Sequence, residues 1–93
     1  MTTKAERAHM DRVARLGCVC CHLDGHPGTP AQVHHIRAGQ GMGQRAGHFL
    51  TLPLCERHHQ SGPYSVHGAP GKFKMRYGGE LDLLDHVLER VYG

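Results

Sequence analysis

The segment Leu54–Gln60, LCERHHQ, places three potential metal ligands within five residues: Cys55, His58 and His59. If this segment is helical, neighbouring side chains point about 100° apart, so the two adjacent histidines cannot easily reach one ion together. Cys55 and His58, at i and i+3, lie on the same helix face. The segment therefore predicts two metal sites, one served by Cys55 with His58 and the other by His59.

The remaining ligands of the first site are predicted to come from Cys18-x-x-Cys21, a pair that presents two thiolates to one ion. Together with Cys55 and His58 they form a Cys3His set, which is typical of a closed, tetrahedral structural zinc site. Such an ion would connect the N-terminal part of the chain to its middle. It would supply stability that a small core lacks.

Other interpretations of these cysteines stay open. Cys18, Cys21 and His34 match the first three ligands of a C2H2 zinc finger. Positions 38–40, where the fourth histidine of a finger should begin to appear, hold Ala, Gly and Gln. The cysteines could also be reduced and unliganded, as in many cytosolic proteins. Cys20 could replace a neighbour as a ligand, but it adjoins Cys21 and should point elsewhere.

A second pair of histidines, His34 and His35, is also consecutive in the sequence. In a strand, neighbours face opposite sides, so at a strand end one can bind a metal while the other points at a substrate held by that metal. His34 and His59 are the candidate ligands of this second ion. His35 is the candidate general base, because a neutral imidazole is available near pH 7. His48 is a candidate to support the base or to contact the phosphate, and His67 is a candidate third ligand, with plain surface histidines as the alternative for both.

The composition agrees with a small metal-stabilised domain. The chain of 93 residues has ten histidines, no Trp and 39% apolar residues, so its core is expected to be thin. The formal net charge of +3 is compatible with nucleic acid as a partner. Residues 1–17 lack the apolar stretch of a secretory signal, and no stretch approaches the length of a membrane span. A cytoplasmic protein is expected, in which cysteines are more often ligands or free thiols than disulfides.

Hydrophobic periodicity and turn residues predict an α+β fold. The predicted elements are a helix at 4–16, a knuckle and loop at 18–30, strands at 31–37 and 49–54, a short helix at 55–61, a helical turn at 72–77 and a helix at 80–92. Thr3 and Glu6 fit a capping box, and Gly17 should end the first helix. The last helix is expected to present one apolar face formed by Leu81, Leu84, Val87, Leu88 and Val91.

This order of motifs resembles the HNH (ββα-metal) endonucleases, in which HH stands at a strand end and C-x-x-H-H opens a helix after the second strand. The chain resembles more closely the phage recombination-enhancement (Ref) family of HNH nucleases. The matching strings are CVCC (18–21), VHHI (33–36), GQGMGQRAGHFLTLPLCERHH (39–59), VHG (66–68) and ELDLL (80–84). The resemblance implies one zinc-stabilised nuclease domain over 1–93, with a core at about 17–77 and flanking helices at about 4–16 and 80–92.

By this resemblance His34 and His59 take metal-ligand positions and His35 takes the general-base position. The Asn common in the middle of HNH motifs has no evident counterpart; Leu50 lies near that place, and His48 is the expected substitute. The implied activity is metal-dependent hydrolysis of DNA phosphodiesters to a 5′-phosphate and a 3′-hydroxyl, in phage recombination or DNA processing. The expected ion is Mg²⁺ or Mn²⁺, with Zn²⁺ or Ni²⁺ as alternatives. The family also implies a RecA filament as a partner, in a bacterial host of a phage or prophage.

Contacts to single- or double-stranded DNA are expected from basic residues without a base-reading element, and therefore with low sequence specificity. The candidates are Arg37, Arg45, Arg57, Lys72 and Lys74. The main alternative function is a noncatalytic zinc-knuckle module that binds nucleic acid or protein. A zinc deaminase would need H-x-E and P-C-x-x-C, and here Arg37 stands where the Glu should be.

Overall fold

The computed structural model describes residues 2–37 and 47–93. Its elements are α1 (Lys4–Arg15), α2 (Val19–Leu23), β1 (Gln32–His35), β2 (Thr51–Leu54), a π-helix (Arg57–Ser61), α3 (Pro70–Tyr77) and α4 (Glu80–Tyr92). The two strands form an antiparallel sheet, and α1, α2 and α4 pack against it. The predicted α+β class is confirmed. Within these two stretches, no helix combines the length and the apolar character needed to cross a membrane.

The N-terminal helix begins and ends as its sequence predicts. Thr3 accepts from the backbone N–H of Glu6, and the Glu6 side chain accepts from the backbone N–H of Thr3, so the capping box is present. Gly17 follows the helix with a φ of 77°, a conformation that favours glycine. The chain then turns, and the backbone N–H of Cys18 donates to the carbonyl of Thr29 at 2.9 Å.

The segment 18–30, predicted to be a knuckle and loop, contains the short helix α2. Cys18 caps this helix, since its sulfur accepts from the backbone N–H of Cys21 at 3.5 Å. The backbone N–H groups of His22 and Asp24 donate to carbonyls within the same turn. No Pro or Gly interrupts residues 18–24, so a short helix can form there. The glycines and prolines of residues 25–30 are typical of a loop, and for this reason the sequence did not predict the helix.

The strands are shorter than predicted, and their pairing places the first histidine pair. His34 lies opposite Leu52, and His35 lies opposite Thr51. His34 is 2% exposed, whereas His35 is only half-buried, as expected for neighbours on opposite faces of a strand. Pro53 pairs with Val33 in a sheet of two strands, where both strands are edges and proline is tolerated.

The core lies between the sheet and the helices. Its largest apolar members include Val13, Val19, Ile36, Leu52, Leu54, Phe73 and Val87. The predicted bounds of α4 are confirmed, but the predicted position of Leu81 on its apolar face is wrong, because Leu81 is 54% exposed and Leu83 is buried instead. The inward stripe of α4 runs through Glu80, Leu83, Leu84 and Val87, and Leu81 lies about 100° around the helix from Glu80.

Candidate metal centres

Cys18, Cys21, Cys55 and His58 converge on one point. The Nδ1 atom of His58 lies 3.5 Å from Cys18 Sγ, 3.6 Å from Cys21 Sγ and 3.2 Å from Cys55 Sγ. The Sγ atoms of Cys21 and Cys55 are 3.8 Å apart, too far for a disulfide. Tetrahedral zinc with ordinary bond lengths requires about 3.8 Å between sulfurs and about 3.5 Å between sulfur and nitrogen. The four side chains therefore fit a metal ion such as zinc.

The fourth cysteine, Cys20, lies outside this group and is fully buried beside it. The hydrogen bond from the Cys20 thiol lowers the pKa of Cys18 to about 4, and the same contact raises the pKa of Cys20 far above its ordinary value. Burial raises the pKa of Cys21 to about 11. Cys20 is placed to stabilise a negative charge on Cys18, and its sulfur is not part of the converging group.

Side chains from α2 and α3 fix the ring of His58. Its Nε2 lies 2.9 Å from the hydroxyl of Tyr77, and that hydroxyl donates to Asp24 at 2.7 Å. Because the Tyr77 proton goes to Asp24, the Tyr77 oxygen accepts from the Nε2–H of His58, which leaves the lone pair on Nδ1, facing the thiols. Arg76 forms an ion pair with Asp24 at 3.2 Å. The hydrogen bond of Tyr77 lowers the pKa of Asp24, so this carboxylate remains charged.

A second group consists of His34, His59 and His67, whose ligand atoms all lie within 4.8 Å of one another. The ring centroids are 5.1 Å apart for His34 and His59, 5.0 Å for His34 and His67, and 4.8 Å for His59 and His67. The three rings could hold one metal ion. The structure thus brings together all three histidines predicted for the second ion, and their role as its ligands stays a prediction.

The π-helix separates the two adjacent histidines into the two groups. The carbonyl of Cys55 accepts from the backbone N–H groups of both His58, at 3.1 Å, and His59, at 2.8 Å. The backbone N–H of Gly62 then closes the wide turn on the carbonyl of Arg57 at 2.8 Å. A Cβ atom at Gly62 would lie 2.3 Å from that carbonyl oxygen, so the close approach requires glycine.

The loop after the π-helix brings the third histidine into place. The backbone N–H of His67 donates to the carbonyl of His59 at 3.0 Å. Ser65 is buried; its hydroxyl donates to the Gln60 carbonyl and accepts from the N–H of Gly68. A Cβ at Gly68 would lie 2.5 Å from the Ser65 hydroxyl, which explains a glycine directly after His67.

The environment of His59 and His67 favours their neutral forms. Burial, followed by repulsion from His34 when that ring is protonated, lowers the pKa of each below the usual 6.5. Nδ1 of His59 donates to Oε1 of Gln32 at 2.8 Å, so its Nε2 carries the lone pair. Neutral imidazole is the form that binds metals, and these two histidines therefore keep it to lower pH than an ordinary histidine.

The sequence did not identify Glu80 as part of this site. Its Oε2 atom lies 2.6 Å from Nε2 of His34. Gln32 was also missed, although it stands two residues before His34 on the same strand face, a spacing that could have drawn attention to it. No comparable local signal marks Glu80, which lies 46 residues from His34 in the sequence.

The predicted catalytic pair, His35 and His48, is in contact. Nε2 of His35 lies 2.9 Å from Nδ1 of His48. Nε2 of His48 in turn lies 3.5 Å from the hydroxyl of Thr2. The second strand begins shortly after His48, whose carbonyl accepts from the Thr51 hydroxyl. The structure therefore places His48 where it can contact the His35 ring, and the catalytic roles of the two histidines stay predictions.

The predicted nucleic-acid contacts fall into two groups. Arg37 and Lys74 line a cavity of about 480 Å³ whose wall also includes His67, Phe73 and Glu80. Arg57 and Lys72 are exposed outside that lining. Arg45 lies outside the described residues, so its prediction is not tested.

Two convergent groups of cysteine and histidine side chains, each of which could hold a metal ion, lie on a small α+β scaffold. Residues 2–91 match the family described as recombination enhancement, RecA-dependent nuclease, and the chain belongs to this family. The resemblance to the recombination-enhancement nucleases is thereby confirmed. The chain is also 37% identical over 77 residues to uncharacterized protein YdfU of Escherichia coli (strain K12). That alignment covers 80% of this chain and 19% of the relative.

Proposed function

We propose that this protein is a metal-dependent endonuclease of the HNH (ββα-metal) type that hydrolyses DNA phosphodiester bonds with low sequence specificity. The observation that carries the proposal is the arrangement of the two histidine pairs. His58 joins the Cys3His group, His59 joins His34 and His67, and His35 stands beside His34 with His48 as its partner. A binding module stabilised by zinc needs the first group and has no use for the second.

The proposed nuclease unit consists of β1, β2 and the π-helix, stabilised by zinc at the Cys3His group. Together with the flanking helices α1 and α4 it forms the single domain proposed for residues 1–93. Three thiolates leave a zinc ion with a net charge of −1 and no open position, which suits a structural role. The ligand chemistry of the second group differs, because three neutral imidazoles leave the full charge of a divalent cation available to an anionic substrate.

We assign His34, His59 and His67 to the catalytic ion, either Mg²⁺ or Mn²⁺, with Zn²⁺ or Ni²⁺ as the alternatives that imidazole ligands favour. Such an ion stabilises the negative charge that develops on the phosphate oxygens and on the leaving oxygen. The protein's own contribution is to hold the ligand atoms of the three rings within 4.8 Å of one another. The buried position of His34, at 2% exposure, keeps that ring fixed.

His35 is the proposed general base. With His48 Nδ1 accepting the hydrogen bond at 2.9 Å, His35 Nε2 carries the proton and Nδ1 has the lone pair that takes a proton from the attacking water. Water then attacks the phosphorus atom, the bond to the 3′ oxygen breaks, and the products carry a 5′-phosphate and a 3′-hydroxyl. His48 orients the base in place of the Asn common in HNH motifs.

The DNA strand is proposed to enter along the cavity beside His67. Arg37 and Lys74 contribute cations to this cavity, and Phe73 contributes an apolar surface. Cations there bind the phosphates next to the cleaved bond without reading bases. Arg57 and Lys72 extend the basic surface, and the family description supports a RecA filament as the partner that presents the DNA.

The proposal is tested by cleavage of supercoiled plasmid and of single-stranded DNA carrying a RecA filament. The zinc-loaded protein is expected to nick or cut the DNA when Mg²⁺ or Mn²⁺ is present and to be inactive with the divalent ion omitted. Products should be ligatable, because they carry 5′-phosphate ends. No cleavage of either substrate with any of Mg²⁺, Mn²⁺, Zn²⁺ or Ni²⁺ would reject the nuclease and favour a noncatalytic zinc-knuckle module.

Replacing Lys74 with Ala is expected to weaken DNA binding equally for unrelated sequences. The salt dependence of binding should fall by about one unit in the slope of log K against log salt, because one phosphate contact is lost. Fluorescence anisotropy over a salt series measures this slope. Lys4→Ala, which removes an exposed lysine on α1 outside the cavity lining, is the matched control and should leave the slope unchanged. Equal slopes for wild type and Lys74→Ala would show that the DNA does not run along this cavity.

A further inference from the structure

Glu80 connects the first residue of α4 to the second histidine group. Its Oε2 atom lies 2.6 Å from Nε2 of His34, and the two side chains are 13% and 2% exposed, respectively. Its Oε1 atom accepts from the backbone N–H of Arg37 at 2.9 Å. One carboxylate thus contacts a buried imidazole and the backbone just beyond the end of β1.

The carboxylate is held in place from both sides. It stands at the first position of a helix of 13 residues, where the helix N-terminus favours negative charge. The contact to the Arg37 backbone ties it to the chain leaving the sheet. These constraints explain why Glu80, Leu83, Leu84 and Val87 form the inward stripe of α4.

The contact defines which nitrogen of His34 can bind an ion. An ionised carboxylate accepts hydrogen bonds and donates none, so Nε2 of His34 carries the proton and Nδ1 carries the lone pair. Glu80 is absent from the group whose ligand atoms converge, although its oxygen is 2.6 Å from the His34 ring. The carboxylate therefore contacts the ring but lies outside the converging set of ligand atoms.

We propose that Glu80 is a positioning residue that holds His34 in the Nε2–H form and orients its Nδ1 toward a divalent cation shared with His59 and His67. This inference rests on the metal site of the proposed function. The same type of contact, a hydrogen-bond acceptor on one ring nitrogen, is found at two other histidines of the described residues: Gln32 accepts from His59, and Tyr77 accepts from His58. Glu80 differs from these two acceptors because it is anionic, so it also makes the His34 ring a stronger electron donor to the ion.

Glu80→Gln distinguishes positioning from packing, because glutamine has the same size and one oxygen fewer. The remaining side-chain oxygen of glutamine can accept from the Arg37 N–H or from the His34 Nε2–H, but not from both. The amide NH₂ group then faces the group that the oxygen does not contact. With the oxygen on Arg37, the NH₂ donates to His34 Nε2 and moves the imidazole proton to Nδ1. A residue that acts by packing alone would tolerate this substitution.

The first measurement is long-range ¹H–¹⁵N NMR of the histidine rings, on protein whose Cys3His group holds zinc and with no further metal added. His34 should be the Nε2–H tautomer in wild type and should shift toward Nδ1–H in Glu80→Gln. An Nδ1–H tautomer of His34 in wild type, or unchanged His34 ring signals in both Glu80→Gln and Glu80→Ala, would overturn the proposal. This readout requires neither DNA nor cleavage, so it is independent of whether the protein is a nuclease.

The second measurement is titration of the same zinc-loaded proteins with Co²⁺, followed by visible absorption and calorimetry. Glu80→Ala and Glu80→Gln should each weaken Co²⁺ binding about 10- to 100-fold, with zinc content unchanged. Glu89→Gln, on an exposed position of α4, is the control and should bind as wild type does. Three results would overturn the inference. Glu80→Gln could bind Co²⁺ with wild-type affinity, or the Co²⁺ spectrum of Glu80→Ala could show the loss of a direct ligand. The third is that wild type binds no second ion. Normal Co²⁺ binding and tautomer shift in a protein that cuts no DNA would reject the proposed nuclease alone.

Discussion

Cys55→Ser is expected to abolish zinc binding at the Cys3His group and to leave the protein without a cooperative unfolding transition. Cys55 is 8% exposed, and its sulfur lies 3.2 Å from Nδ1 of His58 and 3.8 Å from the sulfur of Cys21. Binding of structural zinc contributes about 10–16 kcal/mol in small zinc domains. That range overlaps the upper part of the total stability of about 5–15 kcal/mol typical of a domain, so loss of the ion can remove most of the free energy of folding. Circular dichroism during heating, together with zinc analysis, measures both effects.

Cys20→Ala is the matched control for this experiment. Cys20 is fully buried, as Cys18 is, and its thiol hydrogen-bonds to Cys18, but it lies outside the four-residue group. The variant should keep one zinc at the Cys3His group and lose only about 1–2 kcal/mol, from one hydrogen bond and a small cavity. Full zinc content and an unchanged melting temperature in Cys55→Ser would show that Cys55 is not a ligand.

The metal groups could be predicted from sequence because their spacing is local. Cys55-x-x-His58 places two ligands on one side of a turn whether that turn is an α-helix or a π-helix. The adjacency of His58 and His59 likewise implies divergent side chains in either geometry. The prediction of two separate groups therefore does not depend on whether the segment forms the expected α-helix or the observed π-helix. The strands were found for a similar reason, since short apolar runs beside turns are local signals.

The residues that hold the ligand rings could not be predicted, because their contacts span long distances in the sequence. Tyr77 on α3 meets His58, and Glu80 on α4 meets His34, only once these helices have taken their places in the fold. The same cause explains the error at Leu81. Apolar periodicity alone does not decide which side of α4 faces the core, because several rotations of the helix bury some of its leucines. The observed rotation buries Leu83 and brings Glu80 into contact with His34.

The π-helix also couples the two groups physically. Once His58 is bound to an ion with three thiolates, the next residue, His59, is restricted to a small range of positions. The backbone of His59 then accepts from His67, so the third ring follows. The proposed structural ion would therefore act on the second group through the His58–His59 backbone and one hydrogen bond. Adjacent histidines, which cannot easily reach one ion together, would then serve two separate groups.

His35→Ala is expected to lower the rate of DNA cleavage about 10²- to 10⁴-fold, the usual contribution of a general base. The loss should occur with zinc content, melting temperature and Co²⁺ affinity close to wild type, because His35 is half-buried and lies outside both ligand groups. His48→Ala should cause a smaller loss, since it removes the 2.9 Å partner that orients the base and leaves the base itself. Single-turnover cleavage of plasmid DNA at saturating Mn²⁺ compares the three proteins.

His26→Ala is the control for His35→Ala, because His26 is exposed in the loop after α2 and belongs to neither metal group. It should cleave DNA at the wild-type rate. Cleavage by His35→Ala at the same rate as His26→Ala would exclude His35 as the base, while leaving the metal site as the source of activity. A loss of Co²⁺ binding in His35→Ala would instead show that this histidine supports the ion, and the proton would have to be taken by another group. Only a rate loss with both metal groups intact identifies His35 as the residue that activates water.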